Sequence, residues 1–388
     1  MLISHISDLH LGYSQFNLEE REEDVYQSFN EAVDVSIREG AEAVILAGDL
    51  FHNPRPCGKA IITLGNALKK LKEKQIPVMF VLGEHDISRI RDVPFAYIFS
   101  NLGLAKRLRL DEPIAIGQCV FFGENKARRT DIDSLIEKLR GAGNIAKQHE
   151  GKKKVLVLHQ GLSDFNKFAG EMDSTDLPPG FDYYAMGHYH DHLEKRFDYL
   201  GGRLAYPGSL DLTPSEGIKD AEKGFILADL SAEEASTHWI RLEQMRQQFS
   251  IRINYDDLAR ELERVIERSK IGWERNAKKP VARIEVAGRD IDSKVIAANL
   301  VKLNEHCLHY VWQALEEGGA AATAYDSRPA DIDSELYRLS VEALGSEQMA
   351  RFAVGELLPL AADKDARSVL DIVWQAYKSK RFWRAEGK

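Results

Sequence analysis

Short apolar runs alternate with amphipathic segments through roughly the first 230 residues of the chain. The apolar runs are rich in β-branched and aromatic residues, and they occupy residues 2–7, 43–48, 77–83, 154–159 and 183–188. Between the first two runs, Val25, Phe29, Val33 and Ile37 recur every four residues, which predicts an amphipathic helix. The alternation of strands and helices predicts a layered α/β domain.

The pattern changes after about residue 192, where strands become more frequent. Residues 245–316 predict a smaller α/β unit, with strands FSIRINY and VARIEV and helices at 256–268 and 293–303. The next segment is rich in Gly, Ala and turn residues and predicts a linker, and helices are predicted beyond it. We therefore predict four parts, at residues 1–240, 245–316, 317–332 and 333–388.

Composition narrows the class of protein without identifying it. The chain has 388 residues, of which 44% are hydrophobic and 29% charged, as is ordinary for a globular protein. No window of 18 residues is apolar, so we expect no transmembrane helix. The N-terminal MLISHISDLHLG reads as a strand and carries no basic leader, so we expect a cytoplasmic protein, nucleoid-associated if the source is prokaryotic.

The cysteines argue against two kinds of site, whereas the net charge excludes no class of partner. The three cysteines form no C-x-x-C pair, which argues against a disulfide framework and against a thiolate zinc site. The net charge of −9 neither indicates nor excludes nucleic-acid binding, because local patches and bound cations set the field at a site.

Acidic residues and histidines gather where the predicted strands end. The motifs are SDLHLG, AGDLFH, LGEHD, LHQG and GHYHDH. Open α/β sheets bind ligands beyond the carboxyl ends of their strands, so these side chains are expected to converge. Their number is too large for one tetrahedral zinc and suits two cations, about 3.5–4 Å apart, that share a carboxylate. Mixed carboxylate and imidazole ligands allow manganese, iron or zinc.

Each motif also has an ordinary explanation when it is taken alone. A single D-x-H is more often a turn aspartate with a surface histidine, and G-D is a common turn dipeptide. His5 lies inside a predicted strand and is expected to be a core or a solvated residue rather than a ligand, while His52 is as readily a surface residue, and His192 begins the next strand. Five such motifs in order at five strand ends are improbable by chance, which favours a metal site.

In this order the motifs resemble the calcineurin-like metallophosphoesterase superfamily, whose pattern is D-x-H, G-D, G-N-H-D, H-x-G and G-H-x-H. The resemblance covers roughly residues 1–215 and includes YPGSLD at 206–211. ISDLHLGY, LAGDLFH and AYPGSLDLT are similar to the nuclease subunits of double-strand-break repair complexes, of the meiotic-recombination-eleven and SbcD type. The resemblance implies a β-sandwich flanked by helices, with a small α/β capping domain and a helical tail.

The resemblance also implies a function and partners. It implies an exonuclease on double-stranded DNA ends and an endonuclease on single-stranded DNA, acting as a homodimer with a coiled-coil, SMC-like ATPase. Two divalent cations, most simply Mn²⁺, would carry the hydrolysis. The residues carried over by matching position are Asp8, His10 and His190 at one metal, His159 and His188 at the other, Asp49 bridging both, His85 facing the leaving group, and His52 assisting.

Glu84 departs from this pattern, since the superfamily has asparagine at its position. Two divalent cations, less Asp8, Asp49 and a hydroxide, leave a formal surplus of about +1, which ionised Glu84 lowers to about zero. Glu84 is then a working ligand of the second metal, an attenuating change, or a bystander that points away. We expect a metal-binding site whose catalysis is weaker than is usual in the superfamily.

The capping unit and the tail offer no catalytic motif. Residues 268–280 interleave Trp273 with several cations and could follow a phosphate backbone, although a solvated helix end explains them equally well. Residues 333–377 are amphipathic and leucine-rich, which favours docking on the ATPase over packing on their own domain.

Two rival functions stay open. One is a phosphodiesterase or phosphomonoesterase that acts on small substrates at the same site and has no need of the helical tail. The other is a catalytically weak scaffold that binds DNA and the ATPase and whose site is disabled by Glu84. Cleavage assays on small substrates and on DNA separate the three functions.

Overall fold

The protein is described by a computed structural model that covers residues 1–88, 93–167 and 170–316. Of the C-terminal segment it describes only residues 340, 346, 349–350, 352–357, 370, 372–375 and 378, and at 275, 355 and 356 it describes the backbone alone. The chain divides into two compact units, Met1–Gly318 and Gly319–Lys388. The predicted linker at 317–332 and most of the predicted helical tail lie outside the described residues.

Two six-stranded sheets form the body of the first unit. The first sheet contains β1 (Leu2–Ile6), β2 (Ala43–Ala47), β3 (Val78–Val81), β4 (Lys106–Arg107), β11 (Gly224–Asp229) and β12 (Ser236–Arg241), in the order β12-β11-β1-β2-β3-β4. The second sheet contains β5 (Ile114–Ile116), β6 (Cys119–Glu124), β7 (Lys153–His159), β8 (Tyr183–Gly187), β9 (Leu193–Arg196) and β10 (Arg203–Tyr206), in the order β5-β6-β7-β8-β10-β9.

The two sheets pack face to face and are covered by helices on their outer faces. Ile45 and Met79 of the first sheet share a buried core with Val157 and Tyr183 of the second. Helices α1 (Glu19–Arg38) and α2 (Gly58–Glu73) cover the first sheet, α3 (Tyr97–Asn101) follows β3, and α4 (Ile132–Ala146) covers the second sheet. Strands buried on both faces read as continuous apolar runs, which is why β2 is the fully buried AVILA. The predicted layered α/β sandwich is confirmed.

Residues 248–316 form a third, three-stranded parallel sheet. Its strands are β13 (Gln248–Asn254), β14 (Val281–Gly288) and β15 (His309–Glu316), in that order. Helices α5 (Leu258–Asn276) and α6 (Ser293–Leu300) share a core with this sheet. The predicted helix at 256–268 is therefore too short, since α5 continues for eight more residues to a left-handed C-cap at Ala277. The division of the first unit at residues 240–245 stays a prediction.

The described part of the second unit includes a π-helical segment, Phe352–Leu357. No helix within the described residues is long and apolar enough to cross a membrane.

A buried ion network joins the first helix to distant parts of the chain. The fully buried Arg21 guanidinium contacts Asp24 at 2.5 Å and Asp211 at 2.7 Å. Arg246, next to β13, donates to the same Asp24 carboxylate at 2.6 Å. The network therefore connects α1 to the loop after β10 and to the start of the third sheet, and removing one member would leave buried charges unpaired.

We expect Arg21→Met to destabilise the protein by about 3–5 kcal/mol, because the Asp24 and Asp211 carboxylates lose a buried partner. Denaturant unfolding followed by circular dichroism measures the change. Arg38→Met is the control, since Arg38 is an exposed partner of Glu39 on the same helix and should change stability by less than about 1 kcal/mol. Equal effects of the two variants would contradict the structural importance of the network.

Candidate metal centre

The chemistry-bearing residues follow strands of both sheets at the same end of the sandwich. Asp8 and His10 follow β1, Asp49 follows β2, and Glu84 and His85 follow β3. From the second sheet come His159, His188 and His190, the first ending β7 and the others following β8. The two sheets together thus bring the predicted residues to one place, as the strand-end argument requires.

The backbone at this place adopts conformations that side chains usually avoid. Asp8, His10, Asp49 and His188 have positive φ values of 52°, 46°, 48° and 103°. Such non-glycine conformations cost of order 1–3 kcal/mol each and cluster at functional sites, where the surrounding structure holds them. These four conformations all occur just after strands end, at β1, β2 and β8.

One cluster contains Asp8, His10, Asp49 and His190. The Nε2 atoms of His10 and His190 are 3.3 Å apart. His10 Nε2 lies 3.8 Å from Asp49 Oδ2, and His190 Nε2 lies 3.8 Å from Asp8 Oδ1. The Nδ1 atom of His190 is hydrogen-bonded to the Thr213 hydroxyl at 2.7 Å, which fixes the ring so that Nε2 faces the cluster.

A second cluster contains Asp49, Glu84, His159 and His188. His159 Nε2 lies 3.5 Å from Asp49 Oδ2 and 3.3 Å from Glu84 Oε2, and His188 Nδ1 lies 3.2 Å from Glu84 Oε2. His159 Nδ1 donates to the Ala47 carbonyl at 2.7 Å, so Nε2 is the ring nitrogen that faces the carboxylates. Asp49 belongs to both clusters, as a bridging carboxylate would.

The donor set fits divalent cations. His159 Nε2 is buried and has no hydrogen-bond partner. Burial alone would lower the pKa of His159, but the Asp49, Glu84 and Asp8 carboxylates raise it well above its usual value. The negative charge of these carboxylates therefore favours a bound cation at this place. Burial lowers the pKa of His10 to about 3, which keeps that imidazole neutral and able to coordinate. Two clusters of carboxylate and imidazole donors are what a two-cation site needs.

Glu84 faces the second cluster, although 42% of its side chain is exposed. Burial would raise the pKa of Glu84, but the adjacent His159 and His188 imidazoles and the charge of Lys126 hold it well below its usual range. The carboxylate is therefore ionised beside the two imidazoles, and the interpretation of Glu84 as a bystander that points away does not fit this geometry.

His85 and His52 lie beside the first cluster. The His85 ring centroid is 4.9 Å from that of His10, and its backbone N–H donates to Asp49 at 2.9 Å. Its Nδ1 donates to the His52 carbonyl at 2.9 Å. The His52 ring stacks on His85 at 5.4 Å and lies 4.8 Å from the ring of Tyr13. Both histidines are thus within the site, His85 more directly.

Two other histidines fall outside the clusters, as their ordinary explanations anticipated. His5 is fully buried in β1 and is hydrogen-bonded to the Tyr183 hydroxyl at 2.9 Å. His192 contacts Glu194 at 2.9 Å and stacks on Trp239. Neither belongs to a group of potential metal ligands among the described residues.

Sequence reasoning assigned no role to Asp86 or Lys126. The Asp86 carboxylate accepts the backbone N–H groups of Leu50, Phe51 and Gly83 at 2.9–3.1 Å, and so ties the loop after β2 to the loop after β3. Burial and the neighbouring Asp49 raise the pKa of Asp86 to about 7. The position of Asp86 in the LGEHD motif could have indicated its role. No motif surrounds Lys126 in the sequence, so its role could not be predicted.

Comparisons with known proteins show which family the chain is similar to. The family model for calcineurin-like phosphoesterase matches residues 1–192. The DNA double-strand break repair protein Mre11 of Sulfolobus acidocaldarius is 33% identical over 320 residues, covering 80% of this chain and 81% of that relative. The protein of the same name from Sulfurisphaera tokodaii is 33% identical over 366 residues and 91% of each chain. That of Methanococcus maripaludis is 36% identical over 245 residues, 60% of this chain and 64% of the relative.

We expect Gly83→Ala to weaken the binding of both cations by at least about tenfold. A Cβ at this position would lie 2.1 Å from Asp49 Oδ1, so the shared carboxylate must move. Calorimetric titration of chelator-stripped protein with Mn²⁺ measures the affinities. Gly58→Ala is the matched control, because nothing lies within 4 Å of its Cβ position. An unchanged affinity in Gly83→Ala would contradict the placement of Asp49 at the centre of the site.

Proposed function

Because the chain belongs to the Mre11 family of calcineurin-like phosphoesterases, we propose that it is the nuclease subunit of a DNA double-strand-break repair complex. It is a metal-dependent phosphodiesterase, and we assign it exonuclease activity on double-stranded ends and endonuclease activity on single strands. The observation that supports this most is the convergence of carboxylates and imidazoles into two clusters, with Asp49 Oδ2 3.8 Å from His10 in one and 3.5 Å from His159 in the other.

The proposed ligand sets follow the two clusters. Asp8, His10 and His190 would hold one cation, Glu84, His159 and His188 would hold the other, and Asp49 would be shared between them. Mn²⁺ is the proposed metal, because mixed carboxylate and imidazole donors suit it. When bound, the two cations supply the Lewis acidity that draws charge from the phosphoryl oxygens during attack by water.

His85 is the proposed acid for the leaving oxygen. Since its Nδ1 donates to the His52 carbonyl, Nε2 is the nitrogen that can give a proton to substrate. His52 assists by holding the His85 ring through that carbonyl and through ring stacking. Glu84 makes this site less active than one with asparagine, because its charge cancels part of the positive field that stabilises an anionic phosphodiester in the transition state.

The proposed DNA contact in the capping region involves fewer residues than the stretch 268–280 that the sequence pattern singles out. Lys278 is 2.9 Å from Asp24, and Arg268 pairs with Asp220. Trp273 remains 40% exposed, with the Lys279 ammonium 5.4 Å from its ring. Trp273 and Lys279 are therefore the proposed contact, in which a base stacks on the indole beside a cation.

We expect the protein to cleave labelled single- and double-stranded DNA with Mn²⁺, and Asp49→Ala to lower the rate by at least about 100-fold, because both cations lose their shared ligand. Gel electrophoresis of the products measures the rate. Asp34→Ala is the control, since Asp34 is an exposed residue that pairs with Lys70.

Two outcomes would contradict this proposal. Binding of DNA and cations without cleavage would favour the scaffold function. Cleavage of small phosphodiesters but of no DNA would favour a phosphodiesterase that acts on small substrates.

The first domain is also the proposed site of homodimerisation. Ile62 on α2 and Phe95, Ile98 and Leu102 at and around α3 are between 42% and 62% exposed. Exposed apolar side chains gathered on neighbouring elements commonly mark a protein interface. A Cβ added at Gly65 would lie 3.4 Å from the Phe99 ring, so α2 and α3 are neighbours.

We expect Ile98→Glu combined with Leu102→Glu to convert the dimer to a monomer, because two charges would be buried in an apolar interface. Light scattering coupled to size-exclusion chromatography measures the mass. Val295→Glu, at an exposed position of α6, is the control. A wild-type protein that is monomeric at micromolar concentration would contradict the proposed dimer.

The C-terminal tail is the proposed docking segment for the SMC-like ATPase. Its amphipathic pattern supports this, and Leu370, Val373 and Trp374 are exposed at 66%, 37% and 55%. In the helix-in-groove mode, an amphipathic segment places such side chains in a partner's apolar groove.

We expect deletion of residues 332–388 to abolish capture of the coiled-coil ATPase in a pull-down, because the apolar face that contacts the partner is removed. The truncated protein should still cleave single-stranded DNA, since every proposed ligand lies before residue 191. Unchanged ATPase capture by the truncated protein would contradict the proposed role of the tail.

A further inference from the structure

Lys126 places an ammonium group against the second cluster. Its side chain is only 7% exposed, and its Nζ atom lies 3.5 Å from Glu84 Oε2 and 3.3 Å from His188 Nδ1. The Glu171 carboxylate accepts a hydrogen bond from the same Nζ at 2.6 Å and another from the Gly161 N–H at 3.3 Å. A nearly buried lysine between two carboxylates differs from an ordinary surface lysine.

The backbone around Lys126 is fixed to strands that carry the proposed ligands. The Lys126 N–H donates to the Leu82 carbonyl at 2.8 Å, and Asn125 Oδ1 accepts the Leu82 N–H at 3.0 Å. The Ala127 N–H donates to the Gln160 side chain at 2.9 Å. The segment after β6 is thus attached to the ends of β3 and β7, two residues before Glu84 and immediately after His159.

We propose that Lys126 is a positioning residue that acts through Glu84, as the counter-charge that lets a glutamate serve where the superfamily has a neutral asparagine. This inference rests on the proposed two-cation site. An ammonium beside the Glu84 carboxylate offsets its charge and weakens its donation to the second cation. Counted with Glu171, which pairs with the same ammonium, Lys126 leaves the formal charge of the site at about zero, but it lowers the negative potential at Glu84 itself, and catalysis is less attenuated than Glu84 alone would make it.

Direct binding of the substrate phosphate by Lys126 is the less favoured explanation. Its ammonium is already engaged by Glu84 and Glu171, and little of the side chain reaches solvent. Freeing it for a phosphate would leave both carboxylates without their partner. Acting through Glu84 requires no such rearrangement.

A double-mutant cycle between Lys126 and Glu84 tests this inference. Lys126→Met combined with Glu171→Gln removes one charge of each sign, so the net charge stays the same while Glu84 loses its partner. The cycle compares the wild type, this Lys126→Met/Glu171→Gln variant, Glu84→Asn, and the protein with all three changes. Lys138→Met with Glu124→Gln is the matched control, because that ion pair is a lysine–glutamate contact on the surface of the same domain.

Calorimetric titration with Mn²⁺ is the first measurement, and it is independent of cleavage. We expect the Lys126→Met/Glu171→Gln variant to bind the second cation about tenfold more tightly, because Glu84 becomes a full anionic ligand. The kcat for DNA cleavage should fall by about tenfold in the same protein. In the Glu84→Asn background both effects should shrink to less than about threefold, and Glu84→Asn alone should raise kcat.

The outcomes separate the inference from the proposed function. Weaker cation binding in the Lys126→Met/Glu171→Gln variant, or effects of equal size in both backgrounds, would overturn the role of Lys126 and leave the two-cation nuclease intact. Failure of the wild type to bind two cations would overturn both. Circular dichroism of the metal-free proteins establishes whether each variant is folded. If the Lys126→Met/Glu171→Gln protein is unfolded, Lys126→Gln replaces it, and the same outcomes apply to that variant.

Discussion

The structure depends on the burial of two carboxylates, Asp8 and Asp49, beside each other. Asp8 and Asp49 are each 1% exposed, and oxygen atoms of both lie with His159 Nε2 in one group of potential ligands no more than 4.8 Å across. Buried like charges at this separation are strongly unfavourable unless a cation compensates them. Divalent cations bound here would compensate both carboxylates, and the same cations would polarise the phosphate of a substrate.

The fold maintains this arrangement by tying together loops that are far apart in sequence. The two sheets end at one place, Asp86 joins two of the loops, and glycines allow the close approaches there. Gly187 is one such residue, since a Cβ at its position would lie 2.0 Å from the Ala47 carbonyl oxygen. The positive φ values of Asp8 and Asp49 are sustained by this packing, in the way strained backbone is usually sustained at functional sites.

The sequence was sufficient to predict what depends on local pattern, and insufficient for what depends on distant partners. Apolar runs located the strands, and the D-x-H and G-H-x-H motifs at their ends predicted which residues would converge. The partners of Arg21 could not be predicted, because Asp211 lies 190 positions away in sequence. Lys126 and Glu171 carry no motif, and their meeting with Glu84 depends on how β3, β6 and β7 are arranged in space. The length of α5 was underestimated because its basic second half lacks a regular apolar spacing.

The most direct test of the central claim is anomalous diffraction from crystals of the protein soaked in Mn²⁺. The account predicts two peaks about 3.5–4 Å apart, one contacting Asp8, His10 and His190 and the other contacting Glu84, His159 and His188, with Asp49 touching both. A single peak, or two peaks of which only one contacts Asp49, would contradict the claim that these buried carboxylates and imidazoles form one two-cation site.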